Sequence, residues 1–197
     1  MSLNQTNNTT LVTQPLFGGA MCIDLPSSYL DSSNFREIPD NQEVWTDNLE
    51  VPSQSSQSSS CPSVIIEILG RCEEPNQSVT SFMFDDLATA NHVAPNDRSF
   101  LFEFDDTTMT KSTNFPNADF AAGGIGQMKV EKNRDLDLVT VFVWVLRLKE
   151  IDTDILITLN DPCIQYSNAQ EATQSPRFQL FSKIIRSLKV LDWGLFC

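Results

Sequence analysis

The sequence predicts an α/β fold: a mostly antiparallel central sheet covered by helices on both faces, an α/β/α sandwich. Three observations lead there. Between Leu138 and Leu146 both alternating sets are apolar but for Thr140, with Leu138, Phe142, Trp144 and Leu146 on one side and Val139, Val141, Val143 and Val145 on the other. A strand buried on both faces needs cover above and below. Phe178, Phe181, Ile184, Ile185 and Leu188 recur at three and four residues, while Arg177, Lys183, Arg186 and Lys189 fill much of the rest, the pattern of a helix with one apolar stripe and a basic outer face. Lys132-Asn133-Arg134-Asp135 separates two extended runs as a hairpin turn does, and such short connections join antiparallel strands.

Residues 1–14 are rich in Asn, Thr and Gln and read as a disordered tail, leaving 15–197 as one domain. Ala20 to Leu25, after Gly18-Gly19 and before Pro26, is a short strand, and Gln42 to Thr46 a second. The serine- and glutamine-rich stretch at 53–60 cannot bury anything and marks a flexible loop over 48–63. Val64 to Leu69 resumes an apolar strand whose one charge is Glu67; a carboxylate there faces solvent at a sheet edge or binds something, because burying it alone is costly. Ser78 to Thr89 fits a helix with Val79, Phe82 and Leu87 on one face. Phe100, Phe102 and Phe104 alternate as a strand with one aromatic face does. The run from Ala122 to Gly126 reads as a flexible turn before a strand at Gln127 to Glu131, and Asp154 to Asn160 as another strand, ended by Asp161-Pro162. Ser175-Pro176 is an N-cap followed by proline at the first helical position, which starts the amphipathic helix.

The formal charge is −13, with 26 acidic against 13 basic side chains in 197 residues. That balance excludes a nucleic-acid binder driven by bulk charge, and no apolar run reaches the roughly 20 residues of a membrane span. Residues 1–106 hold 16 acids against Arg36, Arg71 and Arg98, whereas 107–197 hold 10 of each sign. An acidic face turned toward a basic partner is one reading, and ordinary solubility the other. No basic residue precedes Arg36, so neither a secretory leader nor a transit peptide is expected, and five cysteines without a close pair suit reduced thiols in the nucleus and cytoplasm.

Chemistry has few candidates. His92 is the one histidine, the cysteine spacings match no zinc motif, and the glycine-rich segment lacks the Lys-Ser/Thr of a phosphate loop. The Asp85-Asp86 and Asp105-Asp106 pairs fit element ends better than an acid/base dyad. No cofactor, metal or catalytic residue is expected, and the chain reads as a monomeric binding protein.

One set of motifs is specific. Pro15-Leu16-Phe17-Gly18-Gly19-Ala20, then Asp31, then Arg36-Glu37-Ile38-Pro39-Asp40-Asn41-Gln42-Glu43-Val44-Trp45 resembles the Ran guanine-nucleotide release factor family, the Mog family. Ile65-Ile66-Glu67-Ile68-Leu69, Phe84-Asp85-Asp86-Leu87 and the run from Leu146 to Ile157 keep the same order, so the resemblance spans nearly the whole chain from Pro15. It implies a sandwich fold shared with the photosynthetic PsbP proteins. It also implies binding to the GTPase Ran, release of its guanine nucleotide and support of nuclear protein import. A Ran-binding set follows from the matching positions: Asp40, Asn41, Gln42, Glu43 and Glu67. Gly70 stands where the family often has a second acid, and Glu73 is the nearby substitute. The residues from Asp24 to Glu67 carry eight acids and one base, a net −7 around those motifs. A non-catalytic adaptor or trafficking factor that binds through the same acidic face, without accelerating exchange, is the alternative.

Overall fold

The structure is a computed structural model and describes residues 9–48, 61–132 and 135–196. Among the described residues ten strands and four α-helices follow one another as β1 (Leu11–Leu16), β2 (Met21–Pro26), β3 (Tyr29–Asp31), β4 (Gln42–Asp47), β5 (Ser63–Gly70), α1 (Val79–Ala90), β6 (Arg98–Asp105), α2 (Thr107–Thr110), β7 (Ala118–Lys132), β8 (Asp135–Leu148), β9 (Thr153–Asp161), α3 (Ala169–Thr173), α4 (Pro176–Ser187) and β10 (Lys189–Val190). Seven strands form an antiparallel sheet in the order β3-β4-β5-β9-β8-β7-β6, and β1-β2-β10 form a small second sheet.

The two alternating sets of β8 separate as the periodicity predicts. Phe142, Trp144 and Leu146 enter a core closed by Phe181, Ile184 and Ile185 of α4 and by Leu16, Met21, Ile23 and Leu25 of the small sheet. Val141, Val143 and Val145 enter the opposite core, closed by Val79, Met83, Phe84 and Ala88 of α1. Burying a Leu, Ile or Phe side chain is worth about 1.5–3 kcal/mol, so these two layers hold the sheet between α1 on one face and α4 with the small sheet on the other. Ser175 caps α4 by accepting the Phe178 amide at 3.0 Å, with Pro176 at the first position.

Several expectations differ from the structure. Residues 11–14, assigned to a disordered tail, belong to β1 and pair with β2 from Leu11 opposite Pro26 to Leu16 opposite Met21; a polar strand is stabilised by ladder hydrogen bonds even when composition argues for coil. On α1 the apolar face is Val79, Met83, Phe84 and Ala88, and Phe82 is exposed. The aromatic strand β6 does not keep one face, because a bulge between Phe100 and Phe102 shifts its register. Phe100 lies against Phe84 on the α1 side (5.5 Å between ring centroids), whereas Phe104 sits edge-on to Phe178 of α4 (5.6 Å).

The segment Ala122 to Gly126 is no turn. It lies inside the fifteen-residue β7, and its glycines seat aromatic rings: a Cβ at Gly123, Gly124 or Gly126 would collide with the ring of Phe104, Phe100 or Phe84 respectively. Glycine marks close approach here rather than flexibility. Lys132 and Asp135 pair at the ends of β7 and β8, and the middle of that turn lies outside the described residues, as does the serine-rich stretch at 53–60.

Candidate partner-binding site

The residues Asp40 to Glu43 lead into β4, and strand register fixes where the side chains of Gln42 and Glu43 go. Gln42 pairs with Glu67 and Glu43 with Ile66 on β5. Directly opposed residues of an antiparallel pair share a face. Ile66 is in the core under α4, and Leu156, which pairs with Glu67 on the other side, is in the core under α1. Glu43 and Glu67 therefore leave the sheet on opposite faces. The carboxylates of the sequence-derived set do not share one face of the sheet.

Glu67 is neither at a sheet edge nor freely solvated. It sits on β5, between β4 and β9, with 8% of its surface exposed. Gln42 Nε2 donates to its Oε1 at 2.6 Å. Burial pushes its carboxyl above the usual value, the Gln42 hydrogen bond opposes that, and Asp86 on α1 adds to the rise.

Glu43 has a structural partner. Its Oε1 accepts the backbone amide of Phe17 at 2.5 Å. Phe17, Gly18 and Gly19 all have positive φ, at 49°, 65° and 93°, so the Leu-Phe-Gly-Gly entry is a tight left-handed turn in which two glycines avoid a Cβ clash. Glu43 is partly buried, and burial raises its pKa; the Phe17 hydrogen bond opposes this and Asp31 reinforces it.

Asp40 and Asn41 are exposed. Their turn is fastened to the end of β5: the Asn41 carbonyl accepts the Ile68 amide at 2.9 Å, Asn41 Nδ2 donates to the Ile68 carbonyl at 3.2 Å, and Gln42 N donates to the Pro39 carbonyl at 2.9 Å. Asp40 lines an open cleft of about 480 Å³ together with Asp31, Glu43, Ser33, Ile38 and the Phe17-Gly18-Gly19 turn. Three acids and no base line that cleft.

Glu73 is exposed on the loop between β5 and α1, at the same end of β5 as Asn41. The loop is fixed by Arg147, a residue to which sequence reasoning assigned no role of its own. Arg147 is 2% exposed and lies opposite Asp154 on β9. Its Nε donates to Asp154 Oδ1 at 3.1 Å, one terminal nitrogen to the Glu74 carbonyl (2.6 Å) and Asn76 Oδ1 (2.9 Å), and the other to the Cys72 carbonyl. The Cys72 amide closes the circuit on Asp154 Oδ2. The available signal was an arginine at an inward position of an otherwise apolar alternation, which requires a buried partner.

One member of each acidic pair has a structural partner. Asp106 is buried and accepts from Thr108 Oγ1 at 2.6 Å and Trp144 Nε1 at 3.2 Å, and Asp85 pairs with Arg98 at 3.0 Å. Among the described residues no group of three His, Cys, Asp or Glu side chains is placed to hold a metal ion. Shape and negative charge are what this region offers a partner.

Comparison with known proteins bears on which partner. The profile of the family described as "Ran-interacting Mog1 protein" matches residues 14–162. The Ran guanine nucleotide release factor of Danio rerio is 30% identical over 192 residues, covering 94% of this chain and 100% of the relative. The nuclear import protein mog1 of Schizosaccharomyces pombe is 28% identical, covering 92% and 98%. The crystal structure of the Saccharomyces cerevisiae Ran-binding protein Mog1p superposes with a TM-score of 0.70 at 24% identity, covering 96% of this chain and all of that one, a likeness of fold. Family profile and full-length relatives agree: the chain belongs to the Ran-interacting Mog1 family.

Proposed function

We propose that this protein binds Ran and promotes release of its guanine nucleotide, supporting protein import into the nucleus, and that it acts by binding alone in the nucleus and cytoplasm. The observation that carries the reading is the cleft between Asp31, Asp40 and Glu43, lined by three acids and no base, in a chain of family members named as Ran release factors. The contact surface runs from Asp40 and Asn41 across the end of β5 to Glu73, with Gln42 and Glu67 at its inner edge. Asp40 and Glu73 meet the partner directly. Glu43 holds the Phe17 turn that shapes the cleft wall.

Release needs no covalent step. A protein that binds empty Ran more tightly than loaded Ran weakens nucleotide affinity by the same ratio, because the two equilibria form one cycle. Couplings of about 1–3 kcal/mol correspond to about 5- to 150-fold. The acids compete for basic groups on Ran that otherwise steady the nucleotide or its switch segments.

Calorimetric titration of nucleotide-free and nucleotide-loaded Ran into the protein tests this. Tighter binding to the empty form supports the reading. Equal affinity for the two forms contradicts release and leaves an adaptor; no binding to either contradicts the partner.

A further inference from the structure

The most exposed large apolar side chain among those described is Phe35, with 76% of its surface open. Single exposed apolar residues are common on monomers, but this one is presented by an ordered support. The turn Ser32–Asn34 precedes it. Asp31 Oδ1 accepts the Ser33 amide at 2.8 Å and the Asp31 carbonyl accepts Asn34 Nδ2 at 3.2 Å. The Ser32 carbonyl accepts the amides of Phe35 (3.0 Å) and Arg36 (3.1 Å), and the Ser32 hydroxyl lies 2.9 Å from that of Thr46 on β4. A ring displayed on a turn tied at both ends loses little freedom on docking.

Its neighbours define what it meets. Asp31 and Ser33 before it, and Ile38 and Asp40 after it, line the acidic cleft, and Arg36 is the one cation in the turn. An exposed aromatic side chain on the same segment as residues that line a cleft of one charge sign has the make-up of an interface hot spot, an apolar anchor rimmed by charges that steer and orient.

We propose that Phe35 is the apolar anchor of the partner interface, entering an apolar recess on a basic protein surface while Asp31 and Asp40 meet the surrounding cations. This rests on the reading that the acidic cleft contacts Ran, and it adds what that reading lacks: a contact whose strength does not depend on charge. The anchor acts on dissociation, since burying a ring slows escape, and the carboxylates act on encounter.

Being exposed, Phe35 can be changed without touching the core. Binding of nucleotide-free Ran is measured for the parent, Phe35→Ala, Phe35→Leu and Asp40→Lys at about 0.05 M and about 0.5 M salt, with thermal unfolding of each. The proposal expects Phe35→Ala to lower affinity about tenfold or more at both salts, through a faster off-rate, with an unchanged melting temperature. Phe35→Leu should retain most of the affinity, and the effect of Asp40→Lys should shrink at high salt. Phe35→Ala equal to the parent, or weakened at low salt only, overturns the anchor while leaving the acidic contact standing if Asp40→Lys is weak. Failure of the parent itself to bind Ran overturns the underlying reading, and the anchor with it.

Discussion

Gln42 and Glu67 face each other across β4 and β5, and the amide of one donates to the carboxylate of the other at 2.6 Å. No cation partners Glu67 among the described residues, and burial raises its pKa above the ordinary 4.5. The folded state therefore holds the proton more tightly than the unfolded state. Through the window from the raised folded pKa down to about 4.5, falling pH adds stability from this group, and above that window its ionised form costs stability. Glu67→Gln keeps the acceptor for Gln42 and removes the buried charge.

The expected outcome is a higher melting temperature for Glu67→Gln at pH 7, by a few degrees for each kcal/mol gained in a chain of this size, with the advantage shrinking toward pH 4.5. Ran binding should weaken in the same variant. Parallel unfolding curves and Ran titrations check both; a variant that is less stable at pH 7 would give Glu67 a structural role instead.

Glu43 differs in its partner, the backbone amide of Phe17. Glu43→Ala leaves the Phe17 amide without its acceptor and should cost about 1–3 kcal/mol, whereas Glu43→Gln keeps an acceptor oxygen and should recover most of that. Urea denaturation of the pair measures it. Equal loss by the two variants would mean that charge, not the hydrogen bond to the Phe17 turn, is what matters.

Gly126 faces the ring of Phe84 so closely that an added methyl group has no space. Gly126→Ala should destabilise by about 1–3 kcal/mol through overpacking, and Phe84→Ala by about 3–5 kcal/mol through the cavity it leaves. Combining the two should cost less than the sum, because removing the ring makes room for the methyl group. Additive losses in a denaturant series would contradict the contact.

Arg147→Met removes the guanidinium from Asp154 and frees three acceptors on the loop from Cys72 to Asn76. Breaking a buried pair by deleting one partner costs about 3–5 kcal/mol. Arg147→Lys should be milder, since it keeps the charge without the fork of donors. Amide exchange at Cys72, whose hydrogen bond to Asp154 closes the circuit, should quicken in both.

The doubly apolar β8 and the amphipathic α4 were legible because period two and period 3.6 report burial directly, and together they imply a sheet covered twice. The glycines of β7 were not, since Gly123, Gly124 and Gly126 look locally like a turn and only the rings of Phe104, Phe100 and Phe84 explain them. The switch of faces in β6 was hidden for a similar reason: a bulge leaves no mark in the alternation of Phe100, Phe102 and Phe104. At the site, sequence order placed Asp40, Gln42, Glu43 and Glu67 together. Register alone shows that Glu43 and Glu67 point to opposite faces, because a single residue of offset reverses the direction of a side chain. Phe35 carried no sequence signal, as one aromatic in a polar turn reads equally as buried or exposed.

The central claim, that an acidic cleft at the start of β4 engages Ran and loosens its nucleotide, is tested most directly by the rate at which Ran loaded with a fluorescent guanine nucleotide loses it on addition of this protein at low salt. The account predicts accelerated loss with the parent protein, slowing as salt rises, and markedly less acceleration with Asp40→Lys of unchanged melting temperature. An unchanged rate with the parent, or equal acceleration by Asp40→Lys, would contradict it.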